Sequence, residues 1–221
     1  QFNETRKDKH DLTRFYSGAF IRVEGTLHLR FSKIDHQIAQ ALSEHMGSLK
    51  LCGDISVKAA EALSRHKGFS LWLQNSISVE AAHALSKYNG PLRLDLSGKE
   101  ISVDVAEAIS QHEGNLSLTS SKEISVDAAQ ALSKYKGVSL LLNGLKEISG
   151  DAAQALSKYK GTRLIIGGLK EISVDAAQAL SKYKGRILGL SGLKEISDDA
   201  AQALSKYVRA ENGPQGIRKI L

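Results

Sequence analysis

The chain has 221 residues, of which 42% are hydrophobic and only 5% aromatic, and its formal net charge is +6. This apolar content supports a buried aliphatic core, and no apolar run approaches the ~18 residues of a membrane span, so none is predicted. The single cysteine, Cys52, excludes a disulfide within the chain and leaves the cellular compartment open.

Residues 1–24 differ from everything that follows them. Leu12, Phe15, Tyr16 and Ala19 recur at helical spacing, which predicts a short amphipathic helix, and residues 20–23 are predicted as a first strand. The open core of a repeat array needs a cover at its first repeat. We therefore expect residues 1–24 to form an N-terminal cap.

A repeat of 21–24 residues begins at Gly25 and gives eight units over residues 25–207. A fixed period of this length is typical of a solenoid. The anchoring glycines are Gly25, Gly47, Gly68, Gly90, Gly114, Gly137, Gly161 and Gly185. Each unit is predicted to contain a strand, a turn and a helix, and the leucines that alternate along each strand should share one buried face.

The helix signals are clearest in the fifth unit. Ser125 is expected to cap the helix N-terminus, Asp127 to interact with the helix dipole, and Lys134 and Lys136 to lie in the last turn. Gly137 is expected to end the helix in the left-handed conformation. Helices of about ten residues are marginal alone, so stacking on neighbouring units must hold them.

The repeated unit LxLxGLxxISxxAAxALxxxxG resembles a leucine-rich repeat, most closely the short, Ala-rich bacterial type. The residues that carry the resemblance are Leu140, Leu142, Leu145, Ile148, Ala152, Ala153, Leu156, Gly161 and their equivalents. It implies a right-handed α/β solenoid with a parallel sheet on the concave face and short helices on the convex face, used as a protein-binding scaffold. One feature departs from that family: Leu145, Leu169 and Leu193 occupy the slot of the usual asparagine ladder.

The repeat ends at Tyr207, and residues 208–221 are expected to be a C-terminal tail or a truncated cap. The chain begins at Gln1 rather than Met, so either a signal peptide or other upstream sequence is expected to be missing. A secreted or cell-surface location is favoured over a cytoplasmic one.

No motif predicts catalysis, a metal or a cofactor. His45, His66 and His112 fall in the repeat position that otherwise holds tyrosine, such as Tyr88 and Tyr135, which favours packing over metal binding. The carboxylates and lysines also follow the repeat, whereas an active site would interrupt it once. The chain is therefore not expected to be an enzyme.

The outward-facing strand residues vary while the core positions repeat, so this face is free to specialise. We assign Asp95 to the middle column beside Trp72, and Arg93 to the column before it. Tryptophan and arginine are frequent binding anchors. The predicted partner-binding residues are Trp72, Lys50, Arg93, His28, Arg30 and Asp95. The alternative is a surface tryptophan that merely stacks on Lys50 or Arg93.

Leu141, Ile165 and Ile187 form an apolar half of the same face and predict an interface, self-association or a site covered by the tail. The sequence thus favours non-enzymatic binding of a protein or peptide on the strand face. The alternative is a self-associating structural or cell-surface repeat protein. Nucleic-acid binding by the lysine-bearing helices is the least favoured of the three.

Overall fold

The computed structural model describes residues 14–16, 19–21, 25–74, 77–96, 100–119 and 122–207. Its main body is one eight-stranded parallel sheet in which every strand pairs with its neighbour along the chain, and a helix follows each strand. This open sheet with alternating helices confirms the predicted leucine-rich-repeat-like α/β solenoid. No helix in the described residues is long and apolar enough to cross a membrane.

The bounds of the elements are as follows. The strands are β1 (Arg14–Tyr16), β2 (Ala19–Ile21), β3 (Thr26–Ile34), β4 (Ser48–Ile55), β5 (Leu71–Gln74), β6 (Leu92–Asp95), β7 (Leu116–Leu118), β8 (Ser139–Leu141), β9 (Arg163–Ile165) and β10 (Ile187–Gly189). The helices are α1 (His36–Ser43), α2 (Val57–Leu63), α3 (Val79–Leu85), α4 (Val103–Ile109), α5 (Val126–Ser133), α6 (Gly150–Leu156), α7 (Val174–Leu180) and α8 (Asp198–Leu204).

The core lies between the sheet and the helices. Leu140, Leu142 and Leu145 of one unit are each no more than 1% exposed, as the two-residue alternation predicts. Small residues cover the inner side of the helices: Ala152 and Ala153 of α6 are fully buried. Because alanine adds little bulk, neighbouring helices can pack closely enough to follow the narrow spacing of the strands.

The predicted serine caps are confirmed. Ser125 Oγ accepts a hydrogen bond of 3.2 Å from the backbone N–H of Ala128, and Asp35 plays the same part for α1. The helices are seven or eight residues long, somewhat shorter than predicted, so the expectation that Lys134 and Lys136 lie in the last turn of α5 is wrong: Lys134 is its C-cap and Lys136 follows it. Such short helices have almost no stability alone, so inter-repeat packing must supply it.

The predicted role of Gly137 is wrong. The helix ends in right-handed geometry at Lys134, and among the described residues the glycine with a positive φ is Gly53, at 142°. The glycines are needed instead for close approach. A Cβ on Gly161 would lie 2.0 Å from the Tyr159 hydroxyl oxygen and 2.7 Å from the carbonyl oxygen of Gly137.

The Tyr159 ring that approaches Gly161 is one member of a continuous stack of rings along the solenoid. Its members are His45, His66, Tyr88, His112, Tyr135, Tyr159, Tyr183 and Tyr207, with neighbouring centroids 5.7–6.5 Å apart. Tyr159 donates its hydroxyl to the carbonyl of Gly137 at 2.6 Å, and Tyr183 donates to Gly161 at 2.7 Å. The expected packing role of this column is therefore observed, and each ring links its repeat to the one before.

The turns satisfy their backbone groups without asparagine at the Leu145 slot. The N–H of Lys194 donates to the carbonyl of Lys170 in the repeat before it, at 3.1 Å. Asn143, two residues ahead of Leu145, accepts a hydrogen bond of 3.2 Å from the N–H of Gly167. Stacked turns thus bond mainly backbone to backbone.

The strand of the fourth repeat, β6, has a different register from the one predicted. Leu92 and Leu94 lie opposite Leu71 and Leu73, so Arg93 is the direct neighbour of Trp72. The assignment of Asp95 to the middle column was wrong, and Asp95 instead pairs with Gln74. The cause is the distance from the anchoring glycine to the first core leucine, which is two residues here and not four.

The N-terminal segment contains a short antiparallel hairpin in which Phe15 of β1 pairs with Phe20 of β2. The predicted helix through Phe15, Tyr16 and Ala19 is therefore wrong, although the predicted strand overlaps β2. The cap role of residues 1–24 stays a prediction because their side chains lie outside the described part. Residues 208–221 also lie outside it.

Candidate functional site

Three predicted residues form one stacked group on the outward face of the sheet. Lys50, Trp72 and Arg93 occupy directly opposed positions on β4, β5 and β6. The Lys50 Nζ lies 3.8 Å from the centre of the indole ring, and the Arg93 Cζ lies 3.9 Å from it. Each contact is a cation–π interaction. We call this group the cation–tryptophan stack.

Both faces of the indole are thus covered, so the ring can meet a partner only along its edge. Trp72 and Lys50 are half-buried and Arg93 is exposed. The Trp72 Nε1 is buried without a hydrogen-bond partner among the described residues. The stack holds two long cationic side chains in place, which reduces the entropy that a partner must remove on binding.

A polar row runs beside the cation–tryptophan stack. The Cys52 thiol donates to Gln74 Oε1 at 2.9 Å, and Gln74 Nε2 donates to Asp95 Oδ2 at 3.3 Å. The Cys52 Sγ also lies 3.6 Å from the Nε2 of His28. The row therefore joins His28 and Asp95, both predicted, through Cys52 and Gln74, which the sequence reasoning did not select. Cys52 and Gln74 lie in the outward column that follows the Trp72 column, and this position in the sequence could have indicated them.

Arg30 lies on β3, the edge strand that also carries His28. It is exposed and lies opposite Cys52 in the register of β3 and β4. With Lys50, Arg93 and Asp95 it gives this half of the face three formal positive charges and one negative charge. The surface is therefore complementary to an acidic partner rather than a basic one.

The apolar residues are only partly brought together. Leu141 and Ile165 are direct neighbours on β8 and β9, whereas Ile187 lies opposite Arg163 in the preceding column. Ile187 is 39% exposed. Ile165 lies over Gly189, since a Cβ there would be 2.6 Å from the Ile165 Cδ1. The patch is thus a pair with an offset third member.

The histidines of the ring stack do not form a metal centre. No group of three or more His, Cys, Asp or Glu side chains within the described ranges could hold a metal ion. Burial lowers the pKa of His66 and of His112 below the ordinary value of 6.5. Both imidazoles are therefore predominantly neutral near pH 7, as packing in the stack requires.

No model of a known protein family matches this chain, and no curated protein matches it. Among solved structures, it is similar to the leucine-rich repeat domain of the type III effector XCV3220 (XopL). That likeness covers 88% of this chain and 77% of the other, at 11% identity and a TM-score of 0.39. So distant a likeness supports no conclusion about function, and the fold rests on the strand order, register and helices described above.

Proposed function

We propose that the chain is a non-enzymatic scaffold that binds a protein or peptide partner on the outward face of its sheet. The observation that carries the proposal is the cation–tryptophan stack. It places the one tryptophan of the chain, half-buried, between two cations on neighbouring strands. Tryptophan and arginine are among the side chains most enriched at the positions that dominate binding energy.

The repeat explains why this group stands out. Core leucines, helix caps and ring positions recur in every unit because packing dictates them, whereas the outward positions change from strand to strand. A rigid parallel sheet fixes the spacing between those positions at about 4.8 Å. Such a surface can present several side chains to one partner without the cost of ordering a loop.

The test begins with peptides selected from a displayed random library on the immobilised chain. Trp72 is the single tryptophan, so its fluorescence reports on this site without background when a tryptophan-free peptide binds. The affinity of each peptide is then measured for the native chain and for Trp72→Ala. A matched control is Gln178→Ala, an exposed position on α7.

Loss of a central anchor is expected to weaken binding by at least about 2 kcal/mol, or roughly 30-fold. The Gln178 variant should bind as the native chain does. Peptides that bind Trp72→Ala with native affinity and leave the tryptophan fluorescence unchanged would show that the sheet face is not the site.

The second candidate function is self-association through the last repeat. Leu188 and Leu190 are partly exposed there, whereas their counterparts Leu164 and Ile166 in the preceding repeat are fully buried. A second copy could cover this surface. Sedimentation over a concentration series tests it: mass that rises with concentration and falls to the monomer value in Leu190→Lys supports self-association, and a constant monomer mass refutes it.

A further inference from the structure

The two edges of the solenoid differ in charge. In each repeat the chain leaves a helix at one edge and enters the next strand there, and it leaves the strand and enters the helix at the other. Glu113 lies where the chain leaves α4, but in the described residues that follow α5, α6, α7 and α8 the strand-entry edge contains only cations among its charged residues. These are Lys134, Lys136, Lys158, Lys160, Arg163, Lys182, Lys184, Arg186 and Lys206, and all of them are exposed. We call this the basic edge.

The opposite edge is mixed. Lys146, Lys170 and Lys194 are each followed directly by a glutamate, and an aspartate occupies the first turn of each following helix. The strand-entry edge of the first four repeats is mixed as well, and Lys67 there pairs with Glu44 at 2.6 Å. The concentration of positive charge is therefore specific to the basic edge and is not a property of the whole surface.

No cation of the basic edge forms an ion pair with an acidic side chain in the described part of the chain. Across the described ranges the one ion pair is Lys67–Glu44, which lies elsewhere. Lys182 does reach the Gln154 Oε1, at 3.5 Å, but that group is neutral. Unpaired like charges placed side by side repel one another. An anionic partner that neutralises them would therefore gain binding energy without first breaking ion pairs.

The spacing along this edge is regular. Lys136, Lys160 and Lys184 each directly follow a ring of the stack, and the Tyr135–Tyr159 and Tyr159–Tyr183 centroids are 5.7 and 6.1 Å apart. The lysines of neighbouring repeats line one shallow groove with Gly161. The repeats that carry these lysines thus advance by about 6 Å at the rings, close to two phosphate rises of about 3.4 Å along one strand of a duplex.

The chemistry of the row favours phosphate backbone over other anions. Contacts through lysine need only charge, and duplex phosphates lie outermost, where such a row can reach them. The tyrosine faces are stacked on one another, so they offer no platform for sugar rings or single-stranded bases. Val138, 56% exposed, and Ile187, 39% exposed, are the large apolar residues exposed at the described part of the basic edge, and two such side chains are too few to anchor the chain in a bilayer.

We propose that the basic edge binds the phosphate backbone of double-stranded nucleic acid without sequence preference. This site is separate from the cation–tryptophan stack, and the existence of this site does not depend on the proposed function. If about four phosphates are neutralised, affinity falls about 150-fold between 50 and 200 mM salt, because the logarithmic slope is close to −0.9 per contact.

The experiment measures the anisotropy of a fluorescent 20-base-pair duplex of mixed sequence, titrated with the full chain at several salt concentrations. One variant carries Lys136→Glu, Lys160→Glu and Lys184→Glu. The matched control carries Lys146→Glu, Lys170→Glu and Lys194→Glu, which changes the net charge equally at the other edge. Circular dichroism confirms that both variants are folded.

We expect the first variant to lose at least 10-fold in duplex affinity and about three units of salt slope, with the control within about 2-fold of the native chain. Equal losses in both variants would show only diffuse attraction and would overturn the proposal. So would absence of duplex binding at low salt. Stronger binding of heparin or of phosphatidylserine vesicles through the same lysines would assign the edge to a different class of anion.

Discussion

Replacing His112 with tyrosine is expected to stabilise the chain. His112 is fully buried in the ring stack between Tyr88 and Tyr135, and within the described residues neither of its ring nitrogens has a hydrogen-bond partner of normal geometry. Tyrosine is already accommodated at the same repeat position on both sides. In the neighbouring repeat the Tyr88 hydroxyl donates to the carbonyl of Gly68, at 3.3 Å, so a ring at position 112 can donate to Gly90 in the same way.

The expected gain in the free energy of unfolding follows from removing the unpaired ring nitrogens and adding one hydrogen bond. Each buried group without a partner costs about 1–3 kcal/mol, and a new hydrogen bond adds about 0.5–1.5 kcal/mol. The larger ring costs some of this gain through tighter packing. A net stabilisation of about 2 kcal/mol is expected. His66 is the graded comparison, because its Nε2 already bonds the Gly47 carbonyl at 3.2 Å and only its Nδ1 is unsatisfied; His66→Tyr should gain less.

The same substitution should also reduce the sensitivity of the fold to acid. Burial lowers the pKa of His112 and of His66 below 6.5 in the folded chain. The unfolded chain therefore binds more protons as the pH falls, and the stability that is fully present above about pH 6.5 is lost as the pH drops through the lowered pKa. Each histidine contributes a slope of up to about 1.4 kcal/mol per pH unit.

The assay is urea unfolding followed by circular dichroism, at pH 7.5 and at several values down to pH 5, for the native chain, His112→Tyr and His83→Tyr. His83 is exposed on α3, so its replacement controls for the loss of a histidine. His112→Tyr should be more stable throughout and lose less stability in acid. A folded His112→Tyr chain that is less stable than the native one, with unchanged pH dependence, would refute the reasoning.

Three further predictions concern single repeats. Gly161→Ala should destabilise the chain by about 2–4 kcal/mol, since its Cβ would displace the Tyr159 ring, whereas Gly25→Ala, with nothing within 4 Å, should not; equal midpoints in urea would contradict this. Ser173→Ala should cost about 1 kcal/mol by removing the 3.2 Å cap of α7; an unchanged midpoint would show that the cap is dispensable. Burial raises the pKa of Tyr88 to about 12, so stability present below its unfolded pKa near 10 should be lost as the pH rises; a free energy of unfolding in urea that does not fall above pH 10 would contradict it.

The fold could be predicted from the sequence because the same pattern of strand leucines, helix cap and ring residue recurs in eight repeats. Ser125 and its equivalents cap their helices as expected, and the leucine pairs of the inner repeats are buried. The local conformation of Gly137 could not be predicted. Glycine serves both left-handed turns and close approaches, and the clash with the ring stack is visible only once the repeats are stacked.

The candidate site was predicted in its residue types but not in its geometry. Leu92, Leu94 and Leu96 alternate with a period of two, so a shift of two residues keeps every side chain on its face while moving it to another column. That is why Arg93 was expected on the outward face yet assigned to the wrong column. Its stacking on Trp72, and the bonding of Cys52 to Gln74, depend on the register between strands.

The charge asymmetry of the edges was hidden for a related reason. Lys136 and Lys146 recur with the same period, and Glu147 beside Lys146 is visible in the sequence. Only the stacking of repeats places Lys136 beside the lysines of the next repeat. The residue types of a surface are thus readable from the sequence, whereas the neighbours of each charge are set by the stacking of repeats.

The most direct test of the account is to map a library-selected peptide on the ¹⁵N-labelled chain by NMR. Binding at the cation–tryptophan stack should shift the backbone amides of residues 48–52, 71–74 and 92–95, together with the Trp72 indole N–H, and leave those of α5 to α8 unchanged. Shifts confined to the helices, with the Trp72 indole signal unmoved, would contradict the claim that the sheet face is the binding surface.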